Sequence, residues 1–179
     1  SVIFTSFSLP TFAQKGRVWR EIGKTLEQSS EELIRVIDQY TQALYRDPRN
    51  GHHYLNRANA YFDRGDYRKA ILDYSQALTY FPNVDRNRLT QIYLQRGLCR
   101  YILGEYPSSI ADFTHAIEAR PNKPDAYYFR GKIYQLAMNQ PQQARRDFLQ
   151  VLKYESYPSI QSSYTRLMMG DFQAAHAEI

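Results

Sequence analysis

The sequence predicts an all-α protein, a right-handed α-solenoid of stacked helix-turn-helix hairpins. A tyrosine, an arginine and a small residue recur at one fixed spacing in residues 54–58, 93–97 and 127–131. Corresponding residues are 39 and then 34 positions apart, and a period of roughly 20 to 50 residues is typical of solenoids and propellers. Apolar residues within the units follow helical spacing, and glycine and proline stand where helices end, so strands are not predicted.

Each unit consists of two helical runs with a break between them. In the clearest unit the runs cover residues 53–63 and 67–80, with Gly65 between them and Pro82 after them. One amphipathic hairpin cannot bury its apolar stripe, whereas stacked hairpins build a continuous core. The array is therefore expected to occupy residues 16–179, in units of about 16–50, 51–84, 90–123 and 124–156 and a partial unit 157–179.

The outer units are predicted from weaker signals. Upstream, Trp19, Gly23 and Pro48 fit the pattern, and residues 29–32, Ser-Ser-Glu-Glu, offer a capping box that would open a second helix. In the unit 124–156, one residue is inserted near residues 139–141, where the turn departs from the Gly-acid-aromatic form of the others. The last unit shows that form again in residues 170–172, Gly-Asp-Phe.

This pattern resembles the tetratricopeptide repeat family. In the unit 51–84 the family pattern is carried by Tyr54, Ala58, Tyr61, Gly65, Tyr67, Ala70, Tyr74, Ala77 and Pro82. The resemblance implies that the first helices line a concave groove that holds a peptide or helix of another protein. It implies no chemistry, so we expect a non-catalytic interaction scaffold, with an assembly factor or accessory subunit of a larger membrane complex as one role.

Family geometry would place ten residues on the inner faces of the first helices. This surface has an apolar and aromatic middle with a polar edge, and it suits an amphipathic helix or extended segment. The family's clamp for acidic chain ends is matched only in part, because two glutamines stand where its third helix carries positive charge. The expected groove residues are Asn56, Asn59, Phe62, Gln91, Gln95, Leu98, Tyr101, Tyr128, Phe129 and Lys132.

Three arginines stand where the family usually has leucine, and three aspartates repeat with them at offsets of 16, 16 and 17 residues. An arginine near a packed interface needs a partner, so these residues are predicted to form structural ion pairs between helices. The alternative is a basic ladder that grips a ligand. The pairs are Arg57 with Asp73, Arg96 with Asp112, and Arg130 with Asp147.

Candidate catalytic and metal-binding residues are few, and neither a cofactor nor a metal is expected. His52 and His53 are adjacent and point to different faces of a helix, and no zinc-ligand spacing exists. Cys99 aligns with Ala60 and Ile133 in neighbouring units, so it is interpreted as a buried small apolar residue. No phosphate-binding glycine loop is present. The sequence therefore does not predict an enzyme.

The composition fits a repeat protein: 43% of the 179 residues are hydrophobic and 23% are charged, and the net charge is +5. The basic residues are scattered, which weakly favours an acidic partner. RNA binding is an alternative, because related helical repeats read single strands, but the units lack a regular pair of polar reader residues. Nucleic acid is thus a less favoured partner than protein.

Residues 1–15 differ from the rest of the chain. Residues 2–9 are apolar and uncharged, and small residues at Thr11 and Ala13 resemble a secretory cleavage site. We expect either the tail of a signal peptide, with export to a periplasm or thylakoid lumen, or a retained apolar arm that associates with a membrane or membrane complex. A cytoplasmic protein is the alternative. A structural subunit whose groove is filled by a neighbouring chain or by this arm also stays open.

Overall fold

Eight α-helices and no strand make up the described part of the chain. The computed structural model describes the backbone of residues 12–81, 85–154 and 160–177, and the side chains of residues 27–81, 85–154, 161 and 163–170. The helices are α1 (Phe12–Arg46), α2 (Gly51–Asp63), α3 (Tyr67–Tyr80), α4 (Arg86–Ile102), α5 (Tyr106–Ala119), α6 (Pro124–Leu136), α7 (Pro141–Tyr154) and α8 (Ile160–Ala177).

The helices stack in chain order. Hairpin 1 consists of α2 and α3, hairpin 2 of α4 and α5, and hairpin 3 of α6 and α7, and each helix packs against the next one along the chain. Helix α1 covers the open side of hairpin 1, α8 covers that of hairpin 3, and α4 also touches α6. The predicted all-α solenoid of helical hairpins is confirmed.

Side-chain caps fix where two first helices begin. The Asn50 side-chain oxygen accepts hydrogen bonds from the backbone nitrogens of His52 and His53, at 3.0 and 3.3 Å. The Asp85 carboxylate accepts bonds from Asn87 and Arg88, both at 3.0 Å. Such caps satisfy N–H groups that the first helical turn leaves unbonded. Because of the Asp85 cap, α4 begins at Arg86, before the predicted start of its unit at residue 90.

Left-handed backbone conformations close all three hairpins. Gly65 and Gly104 have φ angles of 84° and 75°, which glycine adopts without steric cost. In hairpin 3 Asn139 adopts the same left-handed conformation, with a φ of 49°. Asparagine is the residue that most often replaces glycine at such positions. The unusual turn predicted near residues 139–141 is therefore built on the same backbone principle.

Small residues on the first helices allow close packing against aromatic rings. Gly97 faces the fully buried ring of Phe113, and a Cβ atom at residue 97 would lie 2.8 Å from that ring. Gly131 faces Phe148 in the same way, also at 2.8 Å. This contact holds the two helices of hairpins 2 and 3 at a distance that alanine would not permit.

The expected first hairpin, residues 16–50, is wrong in one respect, because α1 runs without a break from Phe12 to Arg46. The predicted capping box at residues 29–32 lies inside this helix. No glycine-acid-aromatic turn or proline interrupts the segment, and serine and glutamate cost little in a helix interior. The second half of α1 still packs on hairpin 1 as the second helix of a preceding unit would. The Thr41 hydroxyl accepts a hydrogen bond from Arg57 of hairpin 1, just as Ser75 accepts one from hairpin 2 and Thr114 accepts one from hairpin 3.

The two ends of the chain also differ from expectation. Helix α8 continues through residues 170–172, where a turn was expected. A single glycine lowers the stability of a helix but does not by itself end it, and no proline occurs in residues 171–177. Residues 12–15, assigned from sequence to the N-terminal segment, form the start of α1. Residues 1–11, which carry the rest of that prediction, lie outside the described residues.

Within the described ranges, no helix combines the length and the apolar character needed to cross a bilayer.

Candidate protein-binding groove

A pocket of about 400 Å³ lies between the first helices of hairpins 2 and 3. On α4, residues at i, i+3, i+4 and i+7 spacing face it, as one side of a helix must. Helix α6 and the connection from α5 close the other side. The lining residues are Asn87, Thr90, Gln91, Leu94, Gln95, Leu98, Arg120, Lys123, Asp125 and Phe129.

The pocket has an apolar floor and a charged rim. Leu94, Leu98 and Phe129 form the floor, while Arg120 and Lys123 stand at the end formed by the α5–α6 connection. Arg120 donates a hydrogen bond to the Asn87 side-chain oxygen, which joins this connection to the start of α4. The rim therefore has a fixed position relative to the floor.

Gln95 contributes an unsatisfied polar group to this pocket. Its Oε1 atom is buried and has no hydrogen-bond partner among the described residues. Leaving a buried acceptor unbonded costs about 1–3 kcal/mol. A rotation of the Gln95 side chain that brings Oε1 to the pocket surface would let an N–H group of a ligand recover part of that cost. A peptide backbone supplies such donors along its whole length.

Four of the ten predicted groove residues line the pocket, namely Gln91, Gln95, Leu98 and Phe129. The three predicted residues on α2 lie outside it. Asn59 accepts a hydrogen bond of 2.8 Å from the hydroxyl of Tyr74, which is fully buried, so it supports the core of hairpin 1. The Phe62 ring packs edge-on against Tyr67, with ring centroids 5.7 Å apart, and Asn56 is half-buried.

The remaining three predicted residues meet further along α4 and α6. Tyr101 packs against Phe129, with ring centroids 5.9 Å apart, and the Lys132 ammonium lies 5.7 Å from the Tyr101 ring centroid. Tyr128 is only 8% exposed and packs in the core around Phe148. The expectation that Tyr128 lies on an open groove surface is therefore wrong. Apolar and aromatic side chains at helical spacing pack against neighbouring helices first, and Tyr128 does so here. Burial raises the pKa of Tyr128, while the charge of Lys132 opposes this shift.

Sequence reasoning missed the polar rim. Arg120 and Lys123 flank the proline between α5 and α6, where the sequence shows only scattered basic residues. Leu94 and Thr90 could have been found from helical spacing. Leu94 lies three residues after the predicted Gln91, and Thr90 lies four residues before Leu94, so both complete the same face of α4. The rim needs the three-dimensional course of a connection, which no periodicity predicts.

The three predicted arginine–aspartate pairs meet in the structure with the same geometry. Each guanidinium donates from Nε and Nη2 to the two oxygens of its carboxylate, which is the bidentate arrangement. The shortest contacts are 2.7 Å for Arg57–Asp73, 2.6 Å for Arg96–Asp112 and 2.7 Å for Arg130–Asp147. In each pair the arginine belongs to the first helix of a hairpin and the aspartate to its second helix.

A third helix joins each of these arginine clamps. The Nη1 atom donates to a hydroxyl on the preceding helix of the stack, and that hydroxyl donates to a carbonyl of its own helix four residues earlier. The hydroxyl acceptors are Thr41 at 3.0 Å, Ser75 at 2.9 Å and Thr114 at 2.9 Å. Their own bonds go to Ile37, Ile71 and Ile110. Every polar atom of the motif is thereby used, and the arginines do not project into the groove.

Burial and charge both act on the clamps. The aspartate side chains are between 1% and 7% exposed and the arginine side chains between 14% and 17%. The hydrogen bond and charge of Asp73 raise the pKa of Arg57, although burial opposes the shift. Asp112 additionally binds Arg100 at 2.7 Å, so one carboxylate serves two guanidinium groups in hairpin 2.

Two sites of possible chemistry can be examined in the described ranges, a metal-binding cluster and the single cysteine. No group of three or more histidine, cysteine or acidic side chains that could hold a metal ion occurs there. Cys99 is fully buried, and burial raises the pKa of its thiol to about 12. The thiol is therefore protonated at neutral pH and unsuited to nucleophilic attack.

Comparison with known protein families identifies the repeats. Models described as "Tetratricopeptide repeat" match residues 53–84, 90–123 and 124–157, which together are more than half of the chain. Each match coincides with one of the three hairpins.

Curated relatives share the repeat region but are much longer. Tetratricopeptide repeat protein 16 of Mus musculus is 33% identical over 88 residues, which cover 48% of this chain and 12% of that protein. Peptidyl-prolyl cis-trans isomerase FKBP4 of Homo sapiens is 26% identical over 121 residues, which cover 62% of this chain and 26% of that protein. The chain thus spans about a quarter or less of the length of these relatives, and the match to FKBP4 does not cover the isomerase domain.

Solved structures show the same fold. A crystal structure of MamA aligns with a TM-score of 0.64 at 19% identity, over 83% of this chain and 77% of that one. The first tetratricopeptide domain of Spaghetti (RPAP3), bound to an HSP90 peptide, aligns with a TM-score of 0.59 at 20% identity, over 69% of this chain and 93% of that one. At these identities the likeness concerns the fold alone.

Proposed function

Because the chain belongs to the tetratricopeptide repeat family, whose repeats are a protein-interaction module, we propose that it is a non-catalytic scaffold that holds an extended or helical segment of a partner protein. The segment lies in the groove between α4 and α6. Its apolar side chains contact Leu94, Leu98 and Phe129, and its backbone donates to Gln95, whose side chain turns its oxygen towards the bound segment.

The observation that carries this proposal is the combination of an apolar floor with an unsatisfied buried acceptor in one pocket. An apolar floor alone would suit a small molecule or a packing defect. A buried amide oxygen without a donor beside that floor favours a ligand that repeats N–H groups next to apolar side chains, which describes a peptide. The RPAP3 domain, which is bound to a peptide of HSP90, has the same fold and supports this choice.

The role in the cell belongs to the same proposal. A scaffold of this kind suits an assembly factor or an accessory subunit of a larger complex, including a membrane complex. The proposal also assigns a targeting or anchoring role to residues 1–13. Intact-mass measurement of protein isolated from its native cell tests this role, because a cleaved signal would leave a start at Gln14. A full-length chain recovered from the soluble fraction would contradict both targeting and anchoring.

Site-specific crosslinking tests the position of the groove. A photoreactive residue is placed at Gln91, which is exposed at the groove, and in a second protein at Gln143, which is exposed on α7. Both positions are exposed glutamines, so reactivity and solvent access are matched. After irradiation in the native cell, we expect the protein with the photoreactive residue at position 91 to form one adduct with a partner protein. The same adduct should be absent when the photoreactive residue is at position 143.

A second variant connects the adduct to the apolar floor. Leu98→Ala should weaken the Gln91 adduct, while Leu149→Ala on α7, where the side chain is 44% exposed, should not. Melting curves of both variants separate lost binding from lost folding. An adduct that forms equally from both crosslinking positions, or that ignores Leu98→Ala in a folded protein, would move the binding site away from this groove.

A further inference from the structure

Three tyrosine rings surround the ammonium group of Lys132. Its Nζ atom lies 5.7 Å from the ring centroid of Tyr101, 5.6 Å from that of Tyr128 and 5.5 Å from that of Tyr164. The rings come from α4, α6 and α8, so this Lys132 cage joins three neighbouring first-position helices. Each ring face attracts a cation within about 6 Å of its centroid. The rings therefore hold the ammonium in one place.

Lys132 differs from the clamp arginines in what it lacks. Arg57, Arg96 and Arg130 each bind a carboxylate. No carboxylate among the described residues lies within 4.0 Å of the Lys132 ammonium. Tyrosine rings attract the cation but do not neutralise it. The site thus presents a positive charge that is half-buried and fixed in position, with no counter-ion among the residues that the structure describes.

The cage continues the apolar floor of the groove. Phe129 lines the pocket and packs against both Tyr101 and Tyr128, with ring centroids 5.9 and 5.2 Å away. A segment that contacts Phe129 therefore lies next to the Lys132 ammonium. Because the charge is already ordered, pairing with it costs less side-chain entropy than pairing with a free surface lysine.

We propose that Lys132 selects partner segments that carry an aspartate or glutamate side chain beside an apolar anchor. This inference rests on the proposed function, since it names the chemistry of the segment in the same groove. The apolar anchor contacts Leu98 and Phe129, and the carboxylate pairs with the caged ammonium. The interaction needs a side-chain carboxylate and no free chain end, so a segment from the interior of a partner satisfies it.

Lys123 stands at the start of α6, at the other end of the groove. Asp125 lines the Lys123 end and offsets part of its charge, so the contact with Lys132 is the more selective of the two.

A peptide selection tests the inference. The probe is a library of randomised peptides of about 12 residues with acetylated and amidated ends, which span about 40 Å when extended. It is applied to the full chain and to two lysine variants, and the selected peptides are then also measured on Leu98→Ala. Lys132→Met removes the charge and keeps an apolar stem over the rings. Lys153→Met is the matched control, because Lys153 also lies over a tyrosine ring, at 5.1 Å, but is exposed on α7.

Acidic residues should be enriched by the full chain and by Lys153→Met, and this enrichment should disappear with Lys132→Met. The best acidic peptide should lose about tenfold in affinity to Lys132→Met, which corresponds to about 1.4 kcal/mol. Lys132→Arg should retain the acidic preference, and it serves as the test protein if Lys132→Met melts early. In that case the glutamine analogue of the same peptide, measured on the full chain, should bind about tenfold more weakly.

The two proposals fail in different ways. If the full chain selects no peptide, the proposed function is wrong. If peptides are selected and depend on Leu98, but acidic enrichment is absent or survives Lys132→Met, the groove stands and the role of Lys132 is overturned. Equal affinity for the acidic peptide and its glutamine analogue would overturn it as well.

Discussion

Removing Asp73 from its clamp should destabilise the protein severely. The Asp73 side chain is 7% exposed and that of Arg57 is 17% exposed, so the pair is almost withdrawn from water. Among the described residues, Asp73→Ala leaves the guanidinium with the Thr41 hydroxyl and two tyrosine rings as its polar and aromatic neighbours. Breaking a buried pair from one side costs about 3–5 kcal/mol, or a fall in Tm of about 6–20 °C for a chain of this size.

An exposed pair supplies the control. Arg35 and Glu31 lie 3.7 Å apart with side chains 81% and 69% exposed, and Glu31→Ala should cost less than about 1 kcal/mol. The assay is urea unfolding followed by far-ultraviolet circular dichroism, at constant protein concentration. If Asp73→Ala costs no more than Glu31→Ala, the clamp is not a stabilising element and the reasoning from its burial is refuted.

A double-mutant cycle separates the pair from its surroundings. Arg57→Leu introduces the residue that the family usually has at this position, and it leaves Asp73 without its partner. The double variant, Arg57→Leu with Asp73→Ala, removes both charges and leaves neither one stranded. We expect the double variant to lose at least about 2 kcal/mol less than the sum of the single variants. Additive losses would mean that the two side chains act independently.

Three further outcomes follow from packing and titration. Gly97→Ala should lower the free energy of unfolding by about 1–3 kcal/mol, because the new methyl group would clash with the buried Phe113 ring. Gly170→Ala should be neutral or stabilise the protein by up to about 1 kcal/mol, because nothing lies within 4 Å of the new Cβ atom. Thermal melts that rank the two variants in the opposite order would contradict this. The backbone bonds from Arg88 and Asn87 lower the pKa of Asp85 from 3.8, so its charge stabilises the folded state fully above that value and loses this effect as the pH falls through the lowered pKa. The Tm difference between the wild type and Asp85→Asn should therefore shrink towards acidic pH, and a constant difference would exclude the charge as its cause. Cys99 should react with a disulfide reagent only at the rate of unfolding, because the thiol is buried and protonated; rapid labelling of native protein would show otherwise.

Local spacing predicted the parts of the fold that repeat. The hairpin turns follow from Gly65 and Gly104, which are placed where only a left-handed residue closes the turn. The clamp geometry could be expected because the arginine and the aspartate recur together in all three units, at offsets of 16, 16 and 17 residues, while the intervening residues change. Repetition gives such predictions their strength, since the same contact must form three times.

Features that depend on several elements were harder to predict. The continuous course of α1 depends on the balance between one long helix and a hairpin, and a capping-box pattern at residues 29–32 does not decide that balance. The Lys132 cage requires Tyr164, which reaches it from α8, more than 30 residues further along the chain. The rim residue Arg120 depends on the course of the α5–α6 connection. Each of these features depends on contacts between elements, and the periodicity of the sequence carries no information about such contacts.

The third bond of each clamp has a consequence for how the array unfolds. Arg96 belongs to hairpin 2, but its Nη1 atom donates a hydrogen bond to the Ser75 hydroxyl of hairpin 1. Opening either hairpin therefore leaves a polar group of the other hairpin without its partner. In a linear array each unit touches only its neighbours, and the interface free energy sets how far order propagates from one unit to the next. Bonds that cross every boundary raise this interface term. The three hairpins should therefore melt as one block with a single sharp transition, and amide hydrogens of α3 and α5 should exchange at the same slow rate.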